Sequence, residues 1–328
     1  MGYHLWTRLT LWTYVCSVCA TLSSPPPPGG PVEDLGLDHF PDVKKINVSQ
    51  EEYTRMMTLY LDRLRSRIVQ TELPKLLTFK SERKSWRRSR SGRIFFPIKA
   101  DQGVDVESSE LKMLAPPVPD TDLIHVRIYQ ILSTRRRRLV GENVFYPSNK
   151  DAKWFDIDVT SSTRSWLNGD RNLGLEVECV ECSRGLKPLE TSLNVLVVSK
   201  EVRRKRSLQQ SGRERTDCRS NDSKKKCCRH RYTVTFKDLN MVEMNSIIQP
   251  KSYEASYCRG RCPVNYNHAT NHSRIQSIIH KVNKTVPKVC CAPSKLEPLE
   301  ILRVDPYDAT KLYFEKWDNM KVLECACS

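Results

Sequence analysis

Two short stretches, "YCRGRC" at residues 257–262 and "LECACS" at residues 323–328, decide the fold of this chain. Each stretch holds two cysteines, with three residues between the first two and one between the second two. If disulfides joined the first cysteines to each other and the second cysteines to each other, they would close a ring of eight residues. A third disulfide could just pass through such a ring. Gly260 lies at its middle, where a side chain would enter the hole or require strained backbone. The two stretches therefore predict a cystine knot.

The first residues of the sequence have the layout of a secretory signal peptide. Arg8 ends a short polar stretch, the mostly apolar run 9–20 follows, and small residues continue to Ser24. An anchoring helix is the weaker alternative, because the run is shorter than the roughly 20 apolar residues that span a bilayer. Residues 1–24 are therefore predicted to be a signal peptide, and the protein is predicted to be secreted, extracellular and not membrane-spanning.

If the protein is secreted, its cysteines are expected to form disulfides. Of the 13 in the chain, Cys16 and Cys19 would leave with the signal peptide and 11 would remain. In an oxidising compartment their default state is the disulfide. Zinc is the alternative for "CCRHR" at residues 227–231, but this stretch lacks paired ligand spacing. We expect neither a metal nor a cofactor.

A basic stretch, "VRRKRS" at residues 202–207, predicts a cut by a furin-type convertase. Its basic residues are Arg203, Arg204, Lys205 and Arg206. A solvated linker is the alternative, and "RRRR" at residues 135–138 shows that the signal is not unique. Position favours Arg206, because residues 21–206 hold two cysteines whereas residues 207–328 hold nine. We therefore expect a propeptide at 25–206 and a mature domain at 207–328.

The chain is strongly basic, with 54 Lys and Arg against 38 Asp and Glu. Such an excess suggests a polyanionic partner. For a secreted protein that partner would be heparan sulfate and not nucleic acid, with a plain solvated surface as an equal alternative. The early positive charges of the mature segment are Lys224, Lys225, Lys226, Arg229 and Arg231.

The upstream segment predicts a helix followed by strands. Residues 51–69 place apolar side chains at helical spacing, namely Met56, Leu59, Tyr60, Leu64 and Ile68. Short β-like runs follow at 94–98, 124–132, 154–159 and 193–199, with a helix around 163–167. This order predicts a helix and a β-sandwich-like domain. Four glycosylation sequons occur, at Asn47, Asn221, Asn271 and Asn283.

The nine downstream cysteines carry a family resemblance. C-R-G-R-C, the adjacent Cys290 and Cys291, and the final C-A-C-S together resemble the mature domain of the transforming growth factor-β superfamily. Upstream, "TSSTRSWLNGDRNLGLEVECVEC" resembles that family's latency region. The implied fold is mostly β: a cystine-knot growth factor domain with two β-fingers and one helix, preceded by an α+β propeptide.

The resemblance also implies how the cysteines pair. The implied disulfides are Cys218–Cys228, Cys227–Cys291, Cys258–Cys325 and Cys262–Cys327. Cys290 is left over, and its family role is a bond to the same residue of a second chain, as an odd cysteine in a secreted protein also suggests. The early Cys218 points to the nine-cysteine TGF-β/activin-like branch, with a maverick-type ligand as the narrower interpretation.

The implied fingers and helix can be placed on the sequence. Finger one would use 232–236 and 252–258, and finger two 296–304 and 311–323. The helix would span 273–282. Its apolar stripe, Ile275, Ile278, Ile279 and Val282, has no obvious partner within one chain. We therefore expect it to pack on a second subunit.

The function that the resemblance implies is that of a dimeric ligand, a homodimer or a heterodimer. Such a ligand brings type I and type II serine/threonine kinase receptors together and starts SMAD-type signalling. Candidate receptor-binding residues are Met241, Met244, Ala255, Ile275, Ile278, Glu300 and Leu302. Glu300 replaces the small residue often seen in relatives, and an unpaired carboxylate in an apolar interface would cost affinity.

Two further expectations concern the receptor surface and its cover. Met241 and Met244 stand where relatives usually carry tryptophans, so type I receptor binding should be weak without a type II receptor. The upstream helix is expected to hold the ligand after cleavage by laying Met56, Leu59, Tyr60 and Leu64 in the type I groove. Its amphipathic face has no evident partner in its own domain.

Two other classes of function remain as alternatives. The first is a secreted cystine-knot antagonist or matrix-binding protein without receptor activity, against which convertase cleavage argues. The second is an enzyme. The histidines have no suitable partners for catalysis, and Cys179-Val-Glu-Cys182 lacks the βαβ surroundings of a thioredoxin-like redox motif. We therefore expect no catalytic residue.

Overall fold

A computed structural model describes residues 40–67, 74–86, 91–99, 103–119, 123–180, 186–199, 217–218, 226–239 and 241–328. The predicted signal peptide, the basic stretch 203–206, Asn221, Lys224 and Lys225 lie outside these residues. Among the residues described, no helix is both long and apolar enough to cross a membrane. The described parts of 40–199 and 217–328 are called the upstream and downstream regions below.

The upstream region is built on two antiparallel sheets. Its strands are β1 (Lys75–Lys80), β2 (Arg83–Trp86), β3 (Ser91–Phe95), β4 (Val104–Ala115), β5 (Ile124–Ile131), β6 (Arg137–Phe145), β7 (Lys153–Asp158), β8 (Leu175–Val180) and β9 (Glu190–Ser199). One sheet has the order β1-β9-β4-β7 and the other β2-β3-β8-β5-β6. The predicted β-sandwich-like domain is confirmed, but strands β1, β2, β4, β6 and β8 were not predicted.

The sandwich core lies between these two sheets. Strand β5 alternates buried and half-buried residues, as expected of a strand with one covered face. Val126 and Ile128 of β5 share the core with Leu111 and Met113 of β4, and all four are fully buried. A short helix, α2 (Thr160–Leu167), adds Trp166 to the same core.

Helix α1 (Gln50–Arg67) confirms the predicted upstream helix. It packs on the outer face of the first sheet, where Leu196 belongs to the same buried cluster as Met57 of the helix. Strand β9 is therefore covered on both faces, and its residues 191–198 are all buried. The expectation that α1 has no partner in its own domain was wrong. The unbroken apolar run at 195–198 was the available signal, because a strand buried on both faces does not alternate.

The downstream region consists of two fingers and one helix. Its strands are β10 (Cys228–His230), β11 (Thr233–Thr235), β12 (Ile247–Gln249), β13 (Ser252–Glu254), β14 (Tyr257–Arg259), β15 (Cys291–Val304) and β16 (Leu312–Cys327). Finger one pairs β10 with β14 and β11 with β13, whereas finger two is the long β15–β16 hairpin with β12 beside it. These pairings agree with the fingers expected from the resemblance.

Helix α3 (Asn271–Val282) begins two residues earlier than predicted because of its cap. Thr270 and Ser273 form a capping box, in which each side chain accepts a backbone N–H of the other residue. The apolar stripe of α3 is exposed within this single chain: Ile275 is 56% exposed and Val282 is 89% exposed. The helix therefore presents an apolar face that its own chain does not cover.

Candidate functional site

The downstream cysteines form a knot at the base of the fingers. The structure contains the disulfides Cys218–Cys228, Cys227–Cys291, Cys258–Cys325 and Cys262–Cys327. The sulfur atoms of Cys227, Cys262 and Cys327 all lie within 4.8 Å of one another. These three residues are buried, so the knot replaces much of the apolar core that thin fingers cannot provide.

Gly260 has the backbone and the surroundings that the knot requires. Its φ is 135°, in the region that side chains rarely adopt. A Cβ atom built there would lie 2.6 Å from the carbonyl carbon of Lys226 and 2.9 Å from the Cα of Cys227. The chain leading into Cys227 thus runs directly against Gly260, at a separation that excludes any side chain.

Cys290 is the free cysteine among the described residues, and it is exposed. Its N–H donates to the Ser328 carbonyl at 2.7 Å, and the Ser328 N–H donates back to the Cys290 carbonyl at 2.8 Å. The preceding loop is tied to α3, since Gln276 Nε2 donates to the Pro287 carbonyl at 3.0 Å. An exposed thiol and the exposed stripe of α3 therefore belong to one connected part of the molecule.

Comparisons with known proteins agree with this geometry. The family model described as "Transforming growth factor beta like domain" matches residues 226–327, and the one described as "TGF-beta propeptide" matches residues 44–210. The chain belongs to the transforming growth factor-β superfamily. Growth factors of this superfamily are signalling ligands and not enzymes. From here on, the upstream region is called the propeptide domain and the downstream region the growth-factor domain.

Individual relatives include a univin and bone morphogenetic proteins. The chain is 30% identical to univin from Strongylocentrotus purpuratus over 267 residues, which are 68% of this chain and 65% of univin. It is 35% identical to bone morphogenetic protein 4 from Gallus gallus over 111 residues, which are 33% of this chain and 26% of that protein. For the same protein from Suncus murinus the identity is 27%, over 71% and 60% of the two chains. The chain thus spans less than two thirds of the length of these curated relatives, and its place in the TGF-β/activin-like branch stays a prediction.

Helix α1 of the propeptide domain covers finger two of the growth-factor domain. Leu302, Val304 and Leu312 are buried in one cluster with Met56, Met57 and Tyr60 of the helix. The helix was expected in the type I groove beside Met241 and Met244, which are not in this cluster. Leu59 was also expected to contact the growth-factor domain. Its side chain is instead 43% exposed and lies outside the buried cluster.

The candidate receptor-binding residues have different surroundings. Glu300 lies two residues before Leu302 on β15, so both share one face of the strand. Ala255 is further along, where its carbonyl accepts the Val322 N–H of β16 at 2.9 Å. Met241 is half-buried and Met244 is buried beside the propeptide turn 43–45. Of the residues placed on α3, Ile275 and Ile278 are exposed.

The Glu300 carboxylate is paired, which the sequence did not suggest. Arg63 of α1 donates to Glu300 Oε1 at 3.0 Å, and its guanidinium lies 3.8 Å from the centre of the Phe314 ring.

At the other end of the helix, the Leu312 N–H donates to Glu52 Oε1 at 3.1 Å. Burial alone would raise the pKa of Glu52, but hydrogen bonds from Arg55 and Leu312 lower it below its usual value. No local sequence signal could have linked residues 237 or 260 positions apart.

Two of the basic residues assigned to a polyanion surface are engaged elsewhere. Arg229 is 6% exposed and donates to Asp217 Oδ1 at 2.7 Å. Arg231 donates to the other oxygen of the same carboxylate at 3.1 Å. Lys226 is exposed and lies 5.1 Å from the ring centre of Tyr266. The polyanion hypothesis therefore loses Arg229, whose charge is neutralised inside the fold.

The second basic run, "RRRR" at residues 135–138, leads into strand β6 of the sandwich. Arg137 and Arg138 begin β6, opposite Ile131 and Gln130 of β5. Arg137 contacts Glu176 at 2.9 Å and Glu178 at 3.2 Å, and Arg138 donates to Gln130 at 2.6 Å. A protease needs an extended and unpaired substrate chain, so residues 135–138 are a poor substrate despite their sequence.

The described sequons differ in accessibility. Asn271 is exposed in the first turn of α3, and Asn283 is exposed at its end. Asn47 is half-buried: its Nδ2 donates to the Ala152 carbonyl at 3.3 Å, and its Oδ1 accepts the Trp154 N–H at 2.7 Å. A glycan attached to Nδ2 would displace the hydrogen bond to the Ala152 carbonyl. The structure therefore favours the two sites on α3 over Asn47.

Proposed function

We propose that the chain is the precursor of a secreted growth factor that is cut after Arg206. Residues 207–328 then form a dimer linked through Cys290, which brings type I and type II serine/threonine kinase receptors together and starts SMAD-type signalling. The observation that carries this proposal is the knot, together with the exposed thiol of Cys290 and the uncovered apolar face of α3. Binding to heparan sulfate is a secondary proposal, and it rests on Lys224, Lys225, Lys226 and Arg231.

Cleavage after Arg206 is supported by the two family matches, which end at residue 210 and begin at residue 226. We expect Arg206→Ala to leave the secreted chain uncut. The matched control is Arg138→Ala, which changes the other basic run and should not alter processing. A mature fragment with the same N-terminus from the Arg206 variant would contradict the assignment.

Dimerisation through Cys290 is supported by its exposure and by the exposed stripe of α3. Cys290→Ser should be secreted and run as a monomer on a non-reducing gel. In the same variant, Ile278→Asp should abolish the remaining non-covalent association, because α3 would present a charge to the partner subunit. A covalent mature dimer without Cys290 would show that another cysteine forms the bridge.

Receptor engagement is the decisive test. The cut and purified dimer should bind type II receptor ectodomains in surface-binding measurements, and type I ectodomains more weakly unless a type II ectodomain is present. It should also activate a SMAD-dependent reporter in cells. Binding to heparin with neither receptor binding nor reporter activity would favour the matrix-binding alternative instead.

A further inference from the structure

Two ion pairs of opposite polarity join the propeptide domain to the growth-factor domain among the residues that the structure describes. In the first, the propeptide domain provides the cation: Arg63 contacts Glu300 at 3.0 Å. In the second it provides the anion: Glu110 of β4 contacts Lys251 at 2.8 Å. The contact between the domains therefore has a defined pattern of charge as well as an apolar area.

The surroundings of Glu300 favour a cationic partner. The Glu300 side chain is only 14% exposed, and α1 covers the face of β15 on which it lies. Replacing Arg63 by an anionic residue would place a like charge against this largely buried carboxylate, which is costly. An arginine suits the place because it can pair with the carboxylate while its planar group lies on the Phe314 ring.

The Lys251 pair lies on finger one, against the middle of β4. The Glu110 side chain is 12% exposed. Partial burial alone would lower the pKa of Lys251, but the carboxylates of Glu110 and Asp156 raise it. Lys251 therefore remains charged where it meets the propeptide domain, and an acidic residue at this position would face two carboxylates.

The apolar contact between the domains cannot by itself select a partner. Met57 and Tyr60 bury area against Leu302 and Val304, and burial of apolar area depends little on the partner's identity. Charged groups discriminate between partners, because a like charge in the same place is repelled. A growth-factor domain with a base at position 300 would bring it against Arg63.

We propose that these two pairs make the propeptide domain selective for a growth-factor domain with an acid at position 300 and a base at position 251. The partner so recognised is this chain's own growth-factor domain. The inference rests on the proposed function only in treating the two domains as partners that cleavage separates. Its test uses the uncut precursor, so a failed receptor or cleavage experiment would not be confused with it.

The test is a charge exchange in the secreted Arg206→Ala precursor, read by hydrogen exchange of helix α1. Arg63→Glu and Glu300→Arg should each speed exchange of α1 at least tenfold, because each places like charges together. The double variant should return to within about threefold of the parent. The matched control is Arg65→Glu, because Arg65 pairs with Asp62 inside the helix and is half-exposed. It should leave α1 nearly as protected as in the parent.

The second pair is tested in the same way, with exchange of β13 and its preceding residue, 251–254, as the readout. Lys251→Glu should speed this exchange, and adding Glu110→Lys should restore it. Lys251→Glu changes an exposed finger residue and leaves the sandwich intact, so it remains informative if Glu110→Lys alone does not fold. Double variants that exchange as fast as the single ones, or an Arg65→Glu effect equal to that of Arg63→Glu, would overturn the proposal.

Discussion

The propeptide domain and the growth-factor domain are held together by different means. The propeptide domain buries a continuous apolar core between two sheets, with Leu111, Met113, Val126 and Ile128 fully covered. The growth-factor domain has long, thin fingers, and its central cluster consists largely of disulfide sulfur. Burial of apolar area stabilises the first domain, and covalent bonds between strands stabilise the second.

The contact between the two domains combines features of both. Helix α1 fills the space between the outer face of one propeptide sheet and finger two, so a single helix completes the core of each. The growth-factor domain keeps its knot without α1, whereas its Leu302 and Val304 face would become exposed. The comparison therefore predicts that the knot and the finger face respond separately to perturbation.

The largest effect should come from reduction of the disulfides. Each of the four described in the growth-factor domain is worth about 2–4 kcal/mol, and together they approach the whole stability of a typical domain. A reducing agent should therefore unfold this domain while β4 and β5 of the sandwich keep their protection. Hydrogen exchange of the precursor with and without the reductant checks this. Equal loss of protection in both domains would contradict the comparison.

A large effect is also expected from Gly260→Ala, because the new Cβ would collide with backbone and not with a movable side chain. We expect a cost of at least about 4 kcal/mol and loss of correctly paired, secreted protein. Gly169→Ala is the matched control. Gly169 also has a positive φ, of 109°, but no atom within 4 Å of the added Cβ, so only about 1–2 kcal/mol of backbone strain is expected. Secreted yield and disulfide mapping compare the two, and equal yields would argue against a threaded ring.

A smaller effect, confined to the sandwich, should follow Leu111→Ala. Leu111 is fully buried, and removing a core leucine costs about 2–5 kcal/mol. Urea unfolding of the sandwich should shift accordingly while the growth-factor disulfides still form. Leu132→Ala is the control, since Leu132 is 42% exposed. Mispaired disulfides in the Leu111 variant would show that the knot depends on the sandwich core.

The parts of the fold that the sequence made predictable are those with local signals. Cysteine spacing and Gly260 predicted the knot, and apolar residues at helical spacing predicted α1 within two residues at each end. Strand β4 was missed because it buries polar residues, Ser109, Glu110 and Lys112, whose partners lie far along the chain. Thr163 bonds the Ser109 hydroxyl at 2.9 Å, Lys251 pairs with Glu110, and the Tyr53 ring lies against Lys112.

The site was predictable to the same extent. The cysteines that pair, the one that does not and the exposed stripe of α3 are properties of short segments or of a family pattern. The cover over Leu302 is a property of two segments some 240 residues apart, and neither contains a signal for the other. Met244 illustrates the limit: the sequence did not suggest that it is buried beside the propeptide turn 43–45, and its receptor contact stays a prediction.

The smallest effect concerns pH and the Glu52 contact between helix α1 and finger two. The pKa of Glu52 is lowered in the folded chain, so its contribution to stability is present above the pKa of the unfolded chain. That contribution is lost as the pH falls through the lowered folded value. Glu52→Gln keeps an oxygen for the Leu312 N–H but loses the charged bonds to Arg55. At pH 7 we expect the variant to open helix α1 more easily by about 1 kcal/mol.

This difference should shrink as the pH falls through the lowered pKa of Glu52, because the parent's carboxylate then becomes protonated. Hydrogen exchange of α1, corrected for intrinsic rates at each pH, measures it. The control is Asp62→Asn, because Asp62 forms a half-exposed pair with Arg65 in the same helix and has no bond to finger two. It should change the opening of α1 little at either pH. A difference between Glu52→Gln and the parent that grows in acid would have the wrong sign and would show that the carboxylate does not anchor the helix to the finger.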